Sequence, residues 1–369
     1  MAATRVVRTA WLALGWCARP GAGLRVALTG ASGYVGSEIA HQLAEAGHPL
    51  LACVRPGGAA RVRAQLATVP AELLAVAEVD LTDALALGGA LNAFNAGALI
   101  HTAAVFRRGL ADPGAQMVRP TIAMAEAAVR ACAAARVGGR CVALVHTSSM
   151  AAVRGPGQAP GPTGAFTSAD RNTVSRADGC GMEPYQFAKA EADARACALA
   201  AELGVPLCTL CPSMVFGPPR GRAQLSALSC ELVLGWLRAE RRVESRLAVD
   251  CRDLAAAHVR AAELAAEEGW APTHLRLIVS AEARTPAAQL ADVLRAAVRA
   301  RGGRGTEARA AEIRADEWGS GKVGEGPAVP IGQREVVEDA RAALGLRTYR
   351  SAEASLADMA CTLLDLSPE

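Results

Sequence analysis

The sequence predicts an α/β fold, a doubly wound parallel sheet carrying a smaller C-terminal lobe. Three observations predict it. From residue 24 short apolar runs alternate with longer amphipathic segments, the first run leads into a glycine-spaced turn, and the alternation changes character after about residue 217. Strands that alternate with helices form parallel sheets, and strands covered on both faces read as unbroken apolar runs rather than as alternations.

The elements follow in order. LRVALT (24–29), PLLACV (49–54), LLAVAE (73–78), ALIHTAA (98–104), CVALVHT (141–147) and VPLCTLC (205–211) have the length of buried strands. SEIAHQLAEAG, TIAMAEAAVRACAAA and QFAKAEADARACALAAELG between them have helical character. Beyond residue 217 the pattern predicts a helix over 223–239, a short strand near 247–249, a helix from 252, a strand LRLIVS and a helix PAAQLADVLRAAVRA. Residues 301–333 are rich in Gly and Pro and read as a long loop or insertion, and VVEDARAALGL and SAEASLADMACTLLDL close the chain as helices. The expected organisation is an N-terminal extension over 1–23, a nucleotide-binding domain over 24–217 to which 249–267 returns, and a mostly substrate-binding lobe over 218–369.

Composition excludes several functions. The 369 residues are 51% apolar and 20% charged, with a net charge of +3 and both signs spread along the chain. A nucleic-acid binder concentrates positive charge on one face, so none is expected here. No apolar run approaches the roughly 20 residues that a membrane span needs. The eleven cysteines are odd in number and irregularly spaced, which favours free thiols in a reducing compartment. Cys208 and Cys211 have C-x-x-C spacing but sit inside an apolar run without a second ligand pair, so they read as core thiols, and no metal is expected. The first 23 residues hold three arginines and no acid. They fit either a disordered extension or an organellar transit segment, which sets a cytoplasmic expectation against a plastid or mitochondrial one.

LRVALTGASGYVGSEIAHQL joins the first strand to a helix through Gly30, Gly33 and Gly36. Glycines at this spacing allow a tight turn and a close backbone approach, and the helix N-terminus faces a pyrophosphate. That is a dinucleotide site, and it makes the sheet one of Rossmann type. In such sites an acid at the end of the second strand binds the ribose 2′-hydroxyl of NAD. Here that strand ends in Cys53, Val54 and Arg55 with no carboxylate. Arg55 suits a 2′-phosphate, with Arg61 and Arg63 nearby, so the expected cofactor is NADP(H). After the third strand Asp80 and Leu81 stand where an adenine amino group and ring would be met, while Asp80 or Thr82 alternatively caps the next helix.

EPYQFAKAEAD places Tyr185 and Lys189 four residues apart, in a chain with three tyrosines and only two lysines. On a helix running from Pro184 to about Leu203 the two share one face. An ammonium beside a phenol favours phenolate and lowers its pKa, and a tuned tyrosine exchanges a proton with a carbonyl oxygen as hydride arrives. Lysine also offers three donors on a flexible stem, suited to the nicotinamide ribose. Thr147, Ser148 and Ser149 end the fifth strand, and Ser149 is chosen as the hydroxyl that polarises the carbonyl. His101 and His146 read as core or strand-end residues, and nothing near Ser149 has the form of a nucleophile elbow.

Together these motifs resemble the extended branch of the short-chain dehydrogenase/reductase family, and within it the dihydroflavonol reductase and cinnamoyl-CoA reductase group. TGASGYVG matches the family's cofactor turn and implies contacts from Gly30, Ser32, Gly33, Tyr34, Val35 and Gly36. ACVRP resembles the group's NADP-selecting segment. HTAA implies cofactor contacts from Thr102, Ala103 and Ala104, and CPSMVFGPP implies that Pro212, Ser213, Met214 and Val215 line the nicotinamide. HTSSM implies Ser149 as catalytic serine, and YQFAK implies Tyr185 and Lys189 as the catalytic pair. MVRPT (117–121), ADRNTVSRADG (169–179) and VDCRDLAAAHV (249–259) are further matching segments. Arg171 stands where a tryptophan is common, AMAEAAV lacks the usual Gly and Asn, and the N-W-Y-C-Y signature of plant cinnamoyl-CoA reductases is absent.

The resemblance implies an NADPH-dependent reductase of a small aldehyde or ketone. The alternatives are a nucleotide-sugar epimerase or dehydratase or a hydroxysteroid dehydrogenase of the same fold, and, in another class, a non-catalytic NADP-binding regulator. A homodimer is expected by analogy of fold.

Overall fold

The computed structural model describes residues 23–107, 109–137, 140–267, 274–303, 305–316 and 329–367. The N-terminal extension therefore lies outside the described residues but for Gly23, as does most of the second half of the 301–333 region.

Seven strands form one parallel sheet: β1 (Val26–Thr29), β2 (Leu50–Val54), β3 (Leu74–Glu78), β4 (Ala98–His101), β5 (Ala143–Thr147), β6 (Leu207–Pro212) and β7 (His274–Val279). Their spatial order is β3-β2-β1-β4-β5-β6-β7. The first six are the runs the sequence predicts. The seventh is LRLIVS, expected after the change of pattern, which pairs in register with β6 from His274↔Leu207 to Val279↔Pro212.

Two-residue periodicity sorts the strands into two helical layers. Val26, Leu28, Leu50, Ala52, Ile100 and Val145 pack with the helices Tyr34–Glu45 and Cys251–Ala266. Ala27, Leu51, Cys53, Leu99 and Leu144 pack with the helices Ala84–Phe94, Arg119–Ala134 and Glu183–Leu203. The same periodicity separates the C-x-x-C pair: Cys208 joins the first layer, and Cys211 joins a cluster with Met150 and Phe166. Burial pushes both thiols up to about 12, so neither is a ready thiolate.

A second core is built around the buried Trp236, with Val233, Leu290, Leu294, Leu356 and Met359. Its helices are Leu228–Leu237, Ala287–Arg301 and Ala352–Leu366. Two expectations change here. The 301–333 region contains a helix at Thr306–Glu312 and a short strand Ala315–Asp316. VVEDARAALGL is helical only over Ala340–Leu344, because Val336 pairs as a bridge with Phe166 and Asp339 accepts from the Ile278 N–H at 2.7 Å. Among the described residues no helix is long and apolar enough to cross a membrane.

The strand order reverses between β1 and β4, since β1 pairs with both β2 and β4. Ligands of doubly wound sheets bind outside the carboxyl ends at such a switch point. A cleft of about 2170 Å³ opens there, between the sheet and the second core.

Candidate active site

The glycine turn is built by close contact. Gly30 has φ +77°, and a Cβ there would stand 2.3 Å from Thr102 Oγ1. A Cβ on Gly36 would stand 2.1 Å from the Gly30 carbonyl oxygen. Neither position admits a side chain, so the first helical turn presses onto the end of β1. Gly33 N–H donates to Gly30 O at 2.8 Å and Gly33 caps the helix in extended conformation without a side chain over its N-terminus. Ser32, Val35, Thr102, Ala103 and Ala104 line the same cleft. Thr102 Oγ1 donates to Thr29 O at 2.7 Å, which fixes the end of β4 against β1. Tyr34 also borders the cleft, but its hydroxyl donates to Gly217 O at 2.6 Å. Its phenol is therefore a strut between the two cores, held well above its ordinary pKa chiefly by burial.

Arg55 follows β2, is exposed, and lines the cleft with Arg61; it makes no ion pair or side-chain hydrogen bond among the described residues. Arg63 does not line the cleft. Leu81 lines it and is buried, whereas Asp80 does not. The Asp80 carboxylate accepts from Thr82 N–H at 2.9 Å and Thr82 Oγ1 at 2.8 Å, and these bonds lower its pKa. The cap expected of Asp80 or Thr82 falls to Asp83, whose Oδ1 accepts from Leu85 and Ala86 N–H at 3.0 Å. Pro212 to Val215 line the cleft where β6 ends, and the strand Met214–Phe216 then pairs with Ala248–Asp250.

Ser149, Tyr185 and Lys189 all line this cleft. Ser149 caps the helix Met150–Val153, its Oγ accepting from Ala151 N–H at 3.1 Å. That leaves its hydroxyl proton to donate, and a hydrogen bond from Ser149 favours the Tyr185 phenolate. The Tyr185 ring meets the edge of Phe106 at 5.1 Å between centroids. Lys189 Nζ donates to Thr147 O at 2.8 Å, so two of its three protons stay available. Burial lowers its pKa to about 8 against the opposing charge of Asp193.

The ammonium does not tune the phenol as the spacing suggests. Burial is the larger influence on Tyr185 and raises its pKa, opposed by Ser149. Lys189 acts instead on His101 and His146: burial first, and then the Lys189 charge, lowers His101 to about 3 and His146 well below its usual range. These rings stack at 5.6 Å beneath the site, uncharged and outside the cleft.

Several supporting residues escape sequence reading. The Cys251–Ala266 helix brings His258, whose Nδ1 bonds Leu254 O and so carries the proton, leaving Nε2 to accept from Thr147 Oγ1 at 2.7 Å. Asp193, one turn past Lys189, is fully buried and paired with Arg276 at 2.8 Å. The same guanidinium donates to the carbonyls of Ser168, of Asp170 at 2.9 Å and of Ala152 at 3.2 Å. One buried cation on β7 thus ties together the Ser149 helix, the loop before the tyrosine and the Tyr185–Lys189 helix. Asn172 adds a second tie, donating to Ala151 O at 2.7 Å.

Comparison with known proteins gives the family and the fold. A model of the NAD dependent epimerase/dehydratase family matches residues 26–272. The chain is 31% identical over 255 residues to cinnamoyl-CoA reductase 1 of Arabidopsis thaliana, covering 67% of this chain and 69% of that one. It is 29% identical over 202 residues to dihydroflavonol 4-reductase of Hordeum vulgare, covering 52% and 53%, so it matches about half of that relative's length. Among solved structures it is similar to Gre2 from Candida albicans in complex with NADPH, with TM-score 0.73, 21% identity and 93% and 99% of the two chains covered. Vestitone reductase from alfalfa is similar at TM-score 0.67 and 19% identity, covering 92% and 98%. The chain belongs to the NAD-dependent epimerase/dehydratase family, as an oxidoreductase of its extended short-chain dehydrogenase/reductase branch.

Proposed function

We propose that this chain is an NADPH-dependent reductase of aldehydes or ketones that works through Ser149, Tyr185 and Lys189. The observation that carries the reading is the meeting of these three side chains in the cleft that begins at the glycine turn. NADPH, when bound, supplies the hydride. The side-chain-free helix N-terminus at Gly33 accommodates its pyrophosphate. Arg55 and Arg61 hold the 2′-phosphate; no carboxylate between Leu50 and Gly58 opposes them.

Ser149 donates a hydrogen bond to the substrate oxygen, and Tyr185 gives that oxygen a proton as charge develops on it. The high pKa of the buried phenol keeps it protonated, as a proton donor must be. Lys189, anchored on Thr147 O, turns its remaining donors to the nicotinamide ribose. Tyr185 recovers its proton from water, so each turnover consumes one NADPH and one proton.

Two results test this. A panel of aldehydes and ketones should consume NADPH, whereas an epimerase would interconvert its substrate with no net consumption. Arg55→Ala should weaken NADPH by about ten- to a hundredfold and leave NADH almost unchanged, since a charge-assisted bond contributes about 1.5–3 kcal/mol. Equal loss for both cofactors would remove Arg55 from the 2′-phosphate. A pH titration gives a further check. Lys189 is charged below its lowered pKa of about 8, so NADP(H) affinity should be full at neutral pH and fall as pH rises through that value. A flat profile of the dissociation constant in this range would exclude Lys189 from cofactor binding.

A further inference from the structure

We propose that the carbonyl substrate carries an anionic group, a carboxylate or a phosphate, and that Arg154, Arg246 and Arg284 receive it. This rests on reading the cleft as a reductase site. All three arginines line the cleft that holds Ser149 and Tyr185. Arg154 directly follows the short helix that Ser149 caps; the other two flank the second core.

The three form one cluster with too few anions. Arg154 Nη2 and Arg284 Nη2 both contact Oε1 of the buried Glu335 at 3.0 Å, while Arg284 Nε takes Oε2 at 2.6 Å. Arg246 pairs with Glu244, and Arg246 and Arg284 both donate to Ser245 O, at 3.3 and 3.2 Å. Three guanidiniums therefore share two carboxylates. Burial lowers the pKa of Arg154 and Arg246, and neighbouring guanidiniums lower both further against the pull of the glutamates.

The Nε atoms of Arg154 and Arg246 are both buried and have no hydrogen-bond partner. Buried donors are normally satisfied, and leaving one unpaired is unfavourable. These two atoms are closed off from the cleft, so an incoming oxyanion acts on the surplus of positive charge that walls the cavity rather than on the Nε donors themselves. Arg246 is also braced in orientation, with its guanidinium carbon 5.9 Å from the centre of the Trp236 ring. Planar guanidinium forks suit carboxylate and phosphate, and a preset fork loses little freedom on binding. A neutral substrate of the same size would leave the surplus charge as it is.

The test reads binding rather than turnover. The full chain, saturated with NADP, is titrated calorimetrically with benzoate, phenyl phosphate and benzamide. One of the anions should bind at least about tenfold more tightly than neutral benzamide, and the order of the two anions tells carboxylate from phosphate. Arg246→Gln should abolish that preference, and in the wild-type chain rising salt should weaken the anion but not benzamide. The salt series stands alone if the variant does not fold. Benzamide binding as tightly as both anions, or an anion preference insensitive to salt, overturns the proposal. A folded Arg246→Gln that keeps the preference overturns it too. Anion preference in a chain that consumes no NADPH with any carbonyl compound would instead count against the reductase reading alone.

Discussion

Tyr185→Phe should lower kcat/KM for carbonyl reduction by about 10²–10⁴-fold, the contribution of a positioned general acid, and should leave NADPH affinity unchanged. The substitution removes one oxygen. The ring keeps its edge contact with Phe106, and Lys189 keeps its bond to Thr147 O, because neither uses the phenol hydroxyl. The loss should fall mainly on kcat, since the proton matters only as charge forms on the substrate oxygen. Steady-state kinetics with a cofactor titration check this. Turnover within a few-fold of wild type would remove Tyr185 from the chemistry, and a parallel loss of NADPH binding would make its role structural.

Asp193→Ala should have the largest effect on stability. Asp193 is fully buried and Arg276 nearly so, and removing one partner of such a pair leaves an uncompensated charge, which destabilises by about 3–5 kcal/mol. The same substitution takes away the anion that holds the Lys189 pKa up. Lys189 should then lose its proton below pH 8, moving the alkaline limb of cofactor binding to lower pH. Urea unfolding and a pH series of NADPH affinity read the two effects separately. Asp193→Ala combined with Arg276→Met should recover only part of the stability, because no stranded charge remains but the carbonyls of Ser168, Asp170 and Ala152 lose their donor, and it should not recover the alkaline limb. If the single variant is as stable as wild type, the ion pair does not hold the site together.

What the sequence makes legible is local. The glycine turn shows because three glycines between a strand and a helix have few other uses, and contacts near 2 Å at Gly30 and Gly36 are why those positions stay bare. Tyr185 and Lys189 show because four residues is one helical turn. What stays hidden is set by chain segments far apart. Asp193 continues the same helical face and was open to the i, i+4 argument, but its partner Arg276 comes from a strand 83 residues later. β7 shows as a strand, LRLIVS, but its join to β6 is a pairing rather than a pattern. Asp80 is legible only in part: Thr82 bonds one of its carboxylate oxygens, Oδ1, which position after a strand does not report. The direction of the Tyr185 pKa turns on burial, which spacing along one helix does not report. The arginine cluster joins Arg154 to residues about 90–180 positions away through Glu335 and Ser245, beyond any motif.

The most direct test of the central claim is a crystal structure of the chain with NADP and an alcohol product. The account predicts Tyr185 Oη and Ser149 Oγ both within about 2.6–3.2 Å of the product oxygen, with Lys189 Nζ on the nicotinamide ribose. A product oxygen bound out of reach of Tyr185, or a nicotinamide lying away from Lys189, would contradict it.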